Sequence, residues 1–134
     1  MALEIDLSNR VALVTGGARG VGRGITERLV AAGATVAICG RTEPDAGTLP
    51  DGVRFHPADV TDPESVAGLV AAVIADHGRL DLAVNNAGGA PGADAATASP
   101  RFSQKIIALN LTSALHVAQA ANHVMQQQPD GGRS

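Results

Sequence analysis

Val11-Ala12-Leu13-Val14-Thr15-Gly16-Gly17-Ala18-Arg19-Gly20-Val21-Gly22 runs from an apolar segment through a glycine-rich turn into a helical pattern. Val21, Ile25 and Leu29 then recur four residues apart, as on one face of a helix. Strand, glycine turn and helix in that order make a phosphate site. Glycines allow a tight turn and a close backbone approach to a pyrophosphate. The unpaired N–H groups and positive dipole end of the new helix face the phosphates. The stretch therefore implies nucleotide binding. Its spacing, Gly16-x-x-x-Gly20-x-Gly22, departs from G-x-G-x-x-G.

Outward from this turn the periodicity alternates between strand and helix. Val11 to Thr15 is expected as β1, and Val21 to Ala32 as a helix ended by Gly33. Thr35 to Cys39 is a β-branched second strand, and Val53 to Pro57 a short third strand after a polar loop. Thr61 or Asp62 can cap the next helix, with Pro63 at its first position and Glu64 at the positive end of its dipole. That helix carries Val66, Leu69, Val70, Val73 and Ile74 on one face and stops at Gly78. Leu80 to Asn85 reads as a fourth strand, 87–100 as a loop, and Ser103 to about Gln127 as a long helix.

Such alternation implies an α/β fold: a doubly wound, Rossmann-like parallel sheet with β1 near its middle. Residues 1–134 are expected to form a single nucleotide-binding domain.

Composition narrows the function classes. Apolar residues make up 45% and charged residues 17%, as in a globular chain. There are two Phe and no Tyr or Trp, so the core must be built from Val, Ile, Leu and Ala. A net charge of −3 gives no nucleic-acid footprint. No apolar run reaches the roughly 20 residues of a membrane span. Glu4 and Asp6 stand where a signal peptide would carry basic residues. One cysteine, Cys39, allows no internal disulfide, and a cytoplasmic location is expected. His56, His77, His116 and His123 show no ligand spacing with Cys39 or carboxylates, so no metal is expected.

Three further motifs stand out. Asn85-Asn86-Ala87-Gly88 closes the fourth strand, beside the end of β1. Asp59-Val60 lies just past the third strand, where the carboxylate could accept from an adenine amino group or simply cap the next helix. Leu109-Asn110-Leu111-Thr112 lies in the long helix, where Ile106, Asn110, Ser113, Val117 and Val124 share a stripe. An amide within an apolar stripe needs partners, since burying it unpaired costs about 1–3 kcal/mol.

With Thr15-Gly16-x-x-x-Gly20-x-Gly22 and Phe102, these motifs resemble the short-chain dehydrogenase/reductase family along essentially the whole chain. The resemblance implies an oxidoreductase moving a hydride between a nicotinamide dinucleotide and a small-molecule carbonyl or alcohol. It also implies that the domain is an NAD(P)-binding one, incomplete at its C-terminal end, with the sheet truncated after the fourth strand and the long helix that follows. It implies pyrophosphate and ribose contacts from Thr15, Gly16, Arg19, Gly20, Val21 and Gly22. Asp59 and Val60 would meet adenine, and Asn86, Ala87 and Gly88 would line the ribose path. Asn110 matches the family's helix asparagine, which holds a water in the proton relay and supports the catalytic lysine. Dimers or tetramers of one chain are expected.

The NAD-type fingerprint places an acidic residue about 20 positions on, at the end of the second strand. Here Gly40 takes that place, followed by Arg41-Thr42. Without a carboxylate there, and with a planar guanidinium beside it, NADP(H) is expected over NAD(H). Arg19 could flank the same phosphate.

The family's catalytic Ser, Tyr and Lys would lie beyond a fifth strand. The sequence has no tyrosine, and its one lysine, Lys105, precedes Asn110. The 134 residues are therefore expected to lack turnover on their own. The alternative to an oxidoreductase is a fragment that only binds the dinucleotide, or one that self-associates through Ile106, Leu109, Val117 and Val124. The substrate is not legible, because the loop from Gly89 to Pro100 offers few specifying side chains.

Overall fold

The computed structural model describes residues 3–89 and 91–132; Ala90, in the Gly89–Pro100 loop, and Ser134 lie outside the described residues. Four parallel strands, β1 Val11–Thr15, β2 Thr35–Gly40, β3 Arg54–Pro57 and β4 Leu82–Val84, form one sheet in the order β3-β2-β1-β4. The register sets Val14 against Ile38 on one side and Val84 on the other. β1 is thus interior, as its unbroken apolar run requires.

Helices α1 Gly20–Ala31, α2 Pro63–His77, α3 Pro100–Ile107 and α4 Ser113–Met125 complete the layers, with a π-helical turn, Ala108–Thr112, joining the last two. The two-residue strand period splits the core. Val11 and Leu13 pack with Ala37 and Cys39 under Val66, Leu69 and Val73 of α2 and Val117 and Ala121 of α4. Ala12 and Val14 point the other way and pack with Val36 and Ile38 under Ile25, Leu29 and Val30 of α1. This is the doubly wound, Rossmann-like arrangement. No helix among the described residues is long and apolar enough to cross a membrane.

Asp62 is the cap of α2, accepting from the Glu64 N–H at 3.0 Å, and Gly78 ends the helix at φ 78°. β4 is shorter than the Leu80 to Asn85 reading. The Gln128 amide takes both backbone groups of Leu80, accepting from its N–H at 2.7 Å and donating to its carbonyl at 2.9 Å. The last helical run starts at Pro100 rather than Ser103. Ser99 caps it by accepting from the Phe102 N–H at 3.1 Å, repeating the cap-then-proline arrangement of α2.

The expected long helix is not uniform. Across the π turn the Ser113 N–H bonds Ala108 O, five residues back, while the Ser113 hydroxyl takes the Leu109 carbonyl. The self-association face read from the sequence changes accordingly. Val117 is only 1% exposed, in the core, and Leu109 and Val124 pack against that core. Along α3, the π turn and α4, the large apolar residues that reach solvent are Ile107 at 53%, Leu111 at 69% and Leu115 at 55%.

Candidate functional site

The site lies at the carboxyl ends of β1, β2 and β4, where the crossovers part to opposite faces. Thr15, the last residue of β1, is buried and ties two strands together. Its hydroxyl oxygen accepts from the Asn86 N–H at 3.0 Å and the Ala87 N–H at 2.9 Å. The Asn86 side-chain amide returns bonds to Thr15 O at 3.0 Å and Gly16 O at 3.2 Å. The expectation that an asparagine here ties strand ends together is met by Asn86. Asn85 makes no such bond among the described residues.

The glycine turn is positioned by contacts that leave no room for a side chain. A Cβ on Gly22 would stand 2.1 Å from Gly16 O and 2.4 Å from Asn86 Nδ2. Gly20, by contrast, has φ 57° and open space within 4 Å, so the mouth of α1 is clear for a ligand. The Thr26 hydroxyl, fully buried, bonds Gly17 O at 3.0 Å and Gly22 O at 2.9 Å and fastens the turn to α1. Sequence reasoning passed over Thr26, because a threonine within an amphipathic helix reads as surface.

Two adjoining clefts open over this turn. One, of about 390 Å³, runs between Gly16, Arg19, Val21 and Gly22, the Gly40-Arg41-Thr42 end of β2, and Asn86-Ala87-Gly88. The other, of about 580 Å³, continues from Arg41 past Asp59, Val60 and Thr61 to Phe102, Lys105 and Ile106. Between them they bring together Gly16, Arg19, Val21, Gly22, Arg41, Thr42, Asp59, Val60, Asn86, Ala87 and Gly88. Phe55, Lys105 and Pro91 join this lining, and no motif or periodicity singles them out along the chain.

Arg19 and Arg41 are exposed at the rim, and neither is ion-paired among the described residues. Asp59 Oδ1 accepts from the Thr61 hydroxyl at 2.6 Å and the Thr61 N–H at 3.0 Å. These bonds, with a smaller pull from Arg41, hold its carboxyl below the ordinary range, so it is an acceptor at neutral pH. Capping of α2 belongs to Asp62, so the capping alternative for Asp59 falls away.

Asn110 sits within the π turn, exposed rather than buried in its stripe, which changes the reason it needs partners. Its amide makes a two-way bond with Gly89, donating to the carbonyl at 2.7 Å and accepting from the N–H at 2.9 Å. A third bond goes to Ile106 O at 3.0 Å. Gly88 lies so close that a Cβ there would be 2.6 Å from Asn110 Oδ1. Asn110 thus pins the loop after β4 to the π turn between α3 and α4.

Cys39 faces the clefts but is 1% exposed, and burial pushes its thiol up to about 11, against a smaller opposing bond from the Gly16 N–H. A buried thiol of this kind is inert. Ellman's reagent at pH 7.5 is expected to label the folded protein far more slowly than the protein in urea.

Folding also makes a grouping that spacing along the chain did not show. His56 of β3 and Asp76 and His77 at the end of α2 bring their ligand atoms within 4.8 Å of one another. The expectation that no histidine groups with a carboxylate is corrected on this point, because β3 and α2 lie side by side in the fold.

A family model described as short chain dehydrogenase matches residues 10–133. D-beta-hydroxybutyrate dehydrogenase of Cupriavidus necator is 35% identical, covering 95% of this chain and 52% of the relative. The 3-oxoacyl-[acyl-carrier-protein] reductase MabA of Mycobacterium tuberculosis is 37% identical over 92% of this chain and 48% of its own length. A Serratia marcescens short-chain dehydrogenase/reductase superposes with a TM-score of 0.81 at 29% identity, covering 89% of this chain and 52% of that one. The chain spans about half the length of the curated relatives it matches.

Proposed function

The chain belongs to the short-chain dehydrogenase family, and from that premise we propose that it is the NADP(H)-holding part of a carbonyl–alcohol oxidoreductase. The observation that carries this reading is the pair of clefts over a glycine turn, with two unpaired arginines at the rim and no carboxylate at the end of β2. Both relatives named above are, by name, a dehydrogenase of a hydroxy compound and a reductase of an oxo compound.

The residues present fit a dinucleotide. The open mouth of α1 at Gly20 offers backbone N–H groups to a pyrophosphate. Arg41, next to Gly40, can meet a 2′-phosphate with its fork of donors, and Arg19 can approach from the turn. Thr42 extends the same rim. Asp59 presents a charged acceptor, with Val60 beside it, to an adenine amino group and ring face. Ala87 and Gly88 leave room for a ribose between β4 and the π turn. When bound, the nicotinamide supplies or takes up the hydride. Asn110 holds the Gly89 backbone against the π turn, and its proposed role is to steady a water there.

No tyrosine stands anywhere in the 134 residues, and the one lysine, Lys105, lines the second cleft ahead of Asn110. These residues are therefore proposed to bind without turning over, and a dimer or tetramer is the proposed assembly. Loss of NADPH absorbance over a panel of carbonyl compounds tests turnover, and sustained activity from the purified 134-residue chain would overturn that part.

Fluorescence titration tests the cofactor. NADPH is expected to bind more tightly than NADH. Arg41→Ala is expected to weaken NADPH about five- to tenfold, the lower range for a charge-assisted bond at an exposed site, and to leave NADH nearly unchanged. Tighter NADH binding, or an Arg41→Ala protein with unaltered NADPH affinity, would sink the preference for NADP(H).

A further inference from the structure

Where the edge strand β3 meets the end of α2, two histidine nitrogens are buried without hydrogen-bond partners. His56 Nε2 and His77 Nε2 are both fully shielded from solvent and unbonded. Leaving a polar atom so costs about 1–3 kcal/mol, so each such atom asks for an explanation. The two belong to the same cluster, together with the Asp76 carboxylate. His56 Nε2 is 3.5 Å from Asp76 Oδ2, without the alignment of a hydrogen bond.

We propose that His56, Asp76 and His77 form a three-ligand site for a divalent transition-metal ion of the zinc type. Two imidazoles and a carboxylate are a donor set that suits such ions, with a fourth position left to water. Metal–ligand bonds of about 2.0–2.1 Å in a tetrahedron place neighbouring ligand atoms about 3.3 Å apart. The His56–Asp76 pair, at 3.5 Å, is already near that spacing. The full set, within 4.8 Å, closes by small side-chain rotations.

The fold supplies both rigidity and access. His56 lies on the edge strand in register with Cys39 of β2, and its side chain is 12% exposed. His77 is the last residue of α2, so Asp76 and His77 are fixed at one helix end. Asp76 faces outward and gives an entry path. Among the described residues the competing cation is Arg54, whose Nη1 is 3.6 Å from Asp76 Oδ2; at 61% exposed it can swing into solvent. A bound ion would clip the edge strand to α2, just before the Ala58–Asp59–Val60 lining of the second cleft. The site is independent of dinucleotide binding.

Calorimetric titration of the purified protein with Zn²⁺, and absorption with Co²⁺, test the site. One equivalent of Zn²⁺ is expected to bind and raise the melting temperature. Co²⁺ is expected to give the intense visible bands of a four-coordinate ion. His56→Gln and Asp76→Asn are each expected to weaken Zn²⁺ at least about tenfold, while His123→Gln on α4 leaves it unchanged. Circular dichroism checks that each variant is folded, and Asp76→Asn, at an exposed position, carries the test should His56→Gln unfold. Absence of binding at stoichiometric Zn²⁺, or binding that survives Asp76→Asn, would overturn the site.

Discussion

Replacing Gly22 with alanine is expected to cost about 2–4 kcal/mol of stability and to weaken dinucleotide binding more than tenfold. The added Cβ would lie 2.1 Å from Gly16 O and 2.4 Å from Asn86 Nδ2, distances that Cβ atoms do not adopt. Relief requires α1 to move away from the end of β1. The Thr26 hydroxyl resists this, because it holds Gly17 O and Gly22 O together. The alternative is for Asn86 to withdraw, which gives up its bonds to Thr15 O and Gly16 O at about 1 kcal/mol each. Either route opens the floor of the cleft. Gly24→Ala in the same helix is the control: nothing lies within 4 Å of its added Cβ, and helix propensity favours alanine by about 1 kcal/mol. Urea denaturation and NADPH titration read both effects. A Gly22→Ala protein as stable and as well liganded as the parent would show that α1 docks with slack.

That contrast between two glycines of one helix marks where the sequence was legible. Strand and helix order could be read because each segment is locally consistent. β1 is an apolar run ended by the Gly16 turn, β2 lies between Gly33 and Gly40, and α2 carries both its cap at Asp62 and its stop at Gly78. Order along the chain then fixed order in the sheet, since right-handed crossovers leave few choices. The cleft-lining residues were legible as motifs, and the fold gathers eleven of them in two clefts. What escaped depends on distance in space. Thr26 is silent until Gly17 and Gly22 are seen to converge on it. His56 and His77 stand 21 positions apart and meet only because β3 and α2 pack together. The π turn escaped for a different reason. Residues 103–127 keep an unbroken helical composition, and the extra residue shows only in the backbone bonding. Asn110 stands at the surface within that turn, and Ile107, Leu111 and Leu115 around it are exposed.

Asp81→Ala is expected to be the most damaging substitution outside the clefts, costing about 2–4 kcal/mol, while leaving NADPH affinity per folded molecule intact. Asp81 is 7% exposed at the amino end of the sheet. It accepts from the Val11 N–H at 2.8 Å and is paired with Arg79 and, at 3.5 Å, with Arg10. The same two arginines hold Asp130, so the turn after α4 is fastened to the start of β1 through Asp81. Alanine would strand the Val11 N–H and leave two cations with Asp130 alone. Burial by itself would raise the Asp81 pKa, but the Arg79 bond, the Val11 N–H and the two arginine charges together hold it below 3.8. The unfolded chain therefore binds the proton first as pH falls. The stabilisation is complete above about pH 5 and is lost as pH drops from about 4 through the lower, folded-state value. Asp130, held down by Arg10 and Arg79, acts in the same direction. Urea unfolding at pH 3, 5 and 7 should show a steep acid loss in the parent and a shallower one in Asp81→Ala. Equal acid slopes would mean that this carboxylate does not govern acid stability. A collapse of NADPH affinity in the folded variant would mean that the two ends of the sheet are coupled. The four residues from Val11 to Val14 separate this carboxylate from Thr15, and the packed strand between them is what should keep its loss a matter of stability alone.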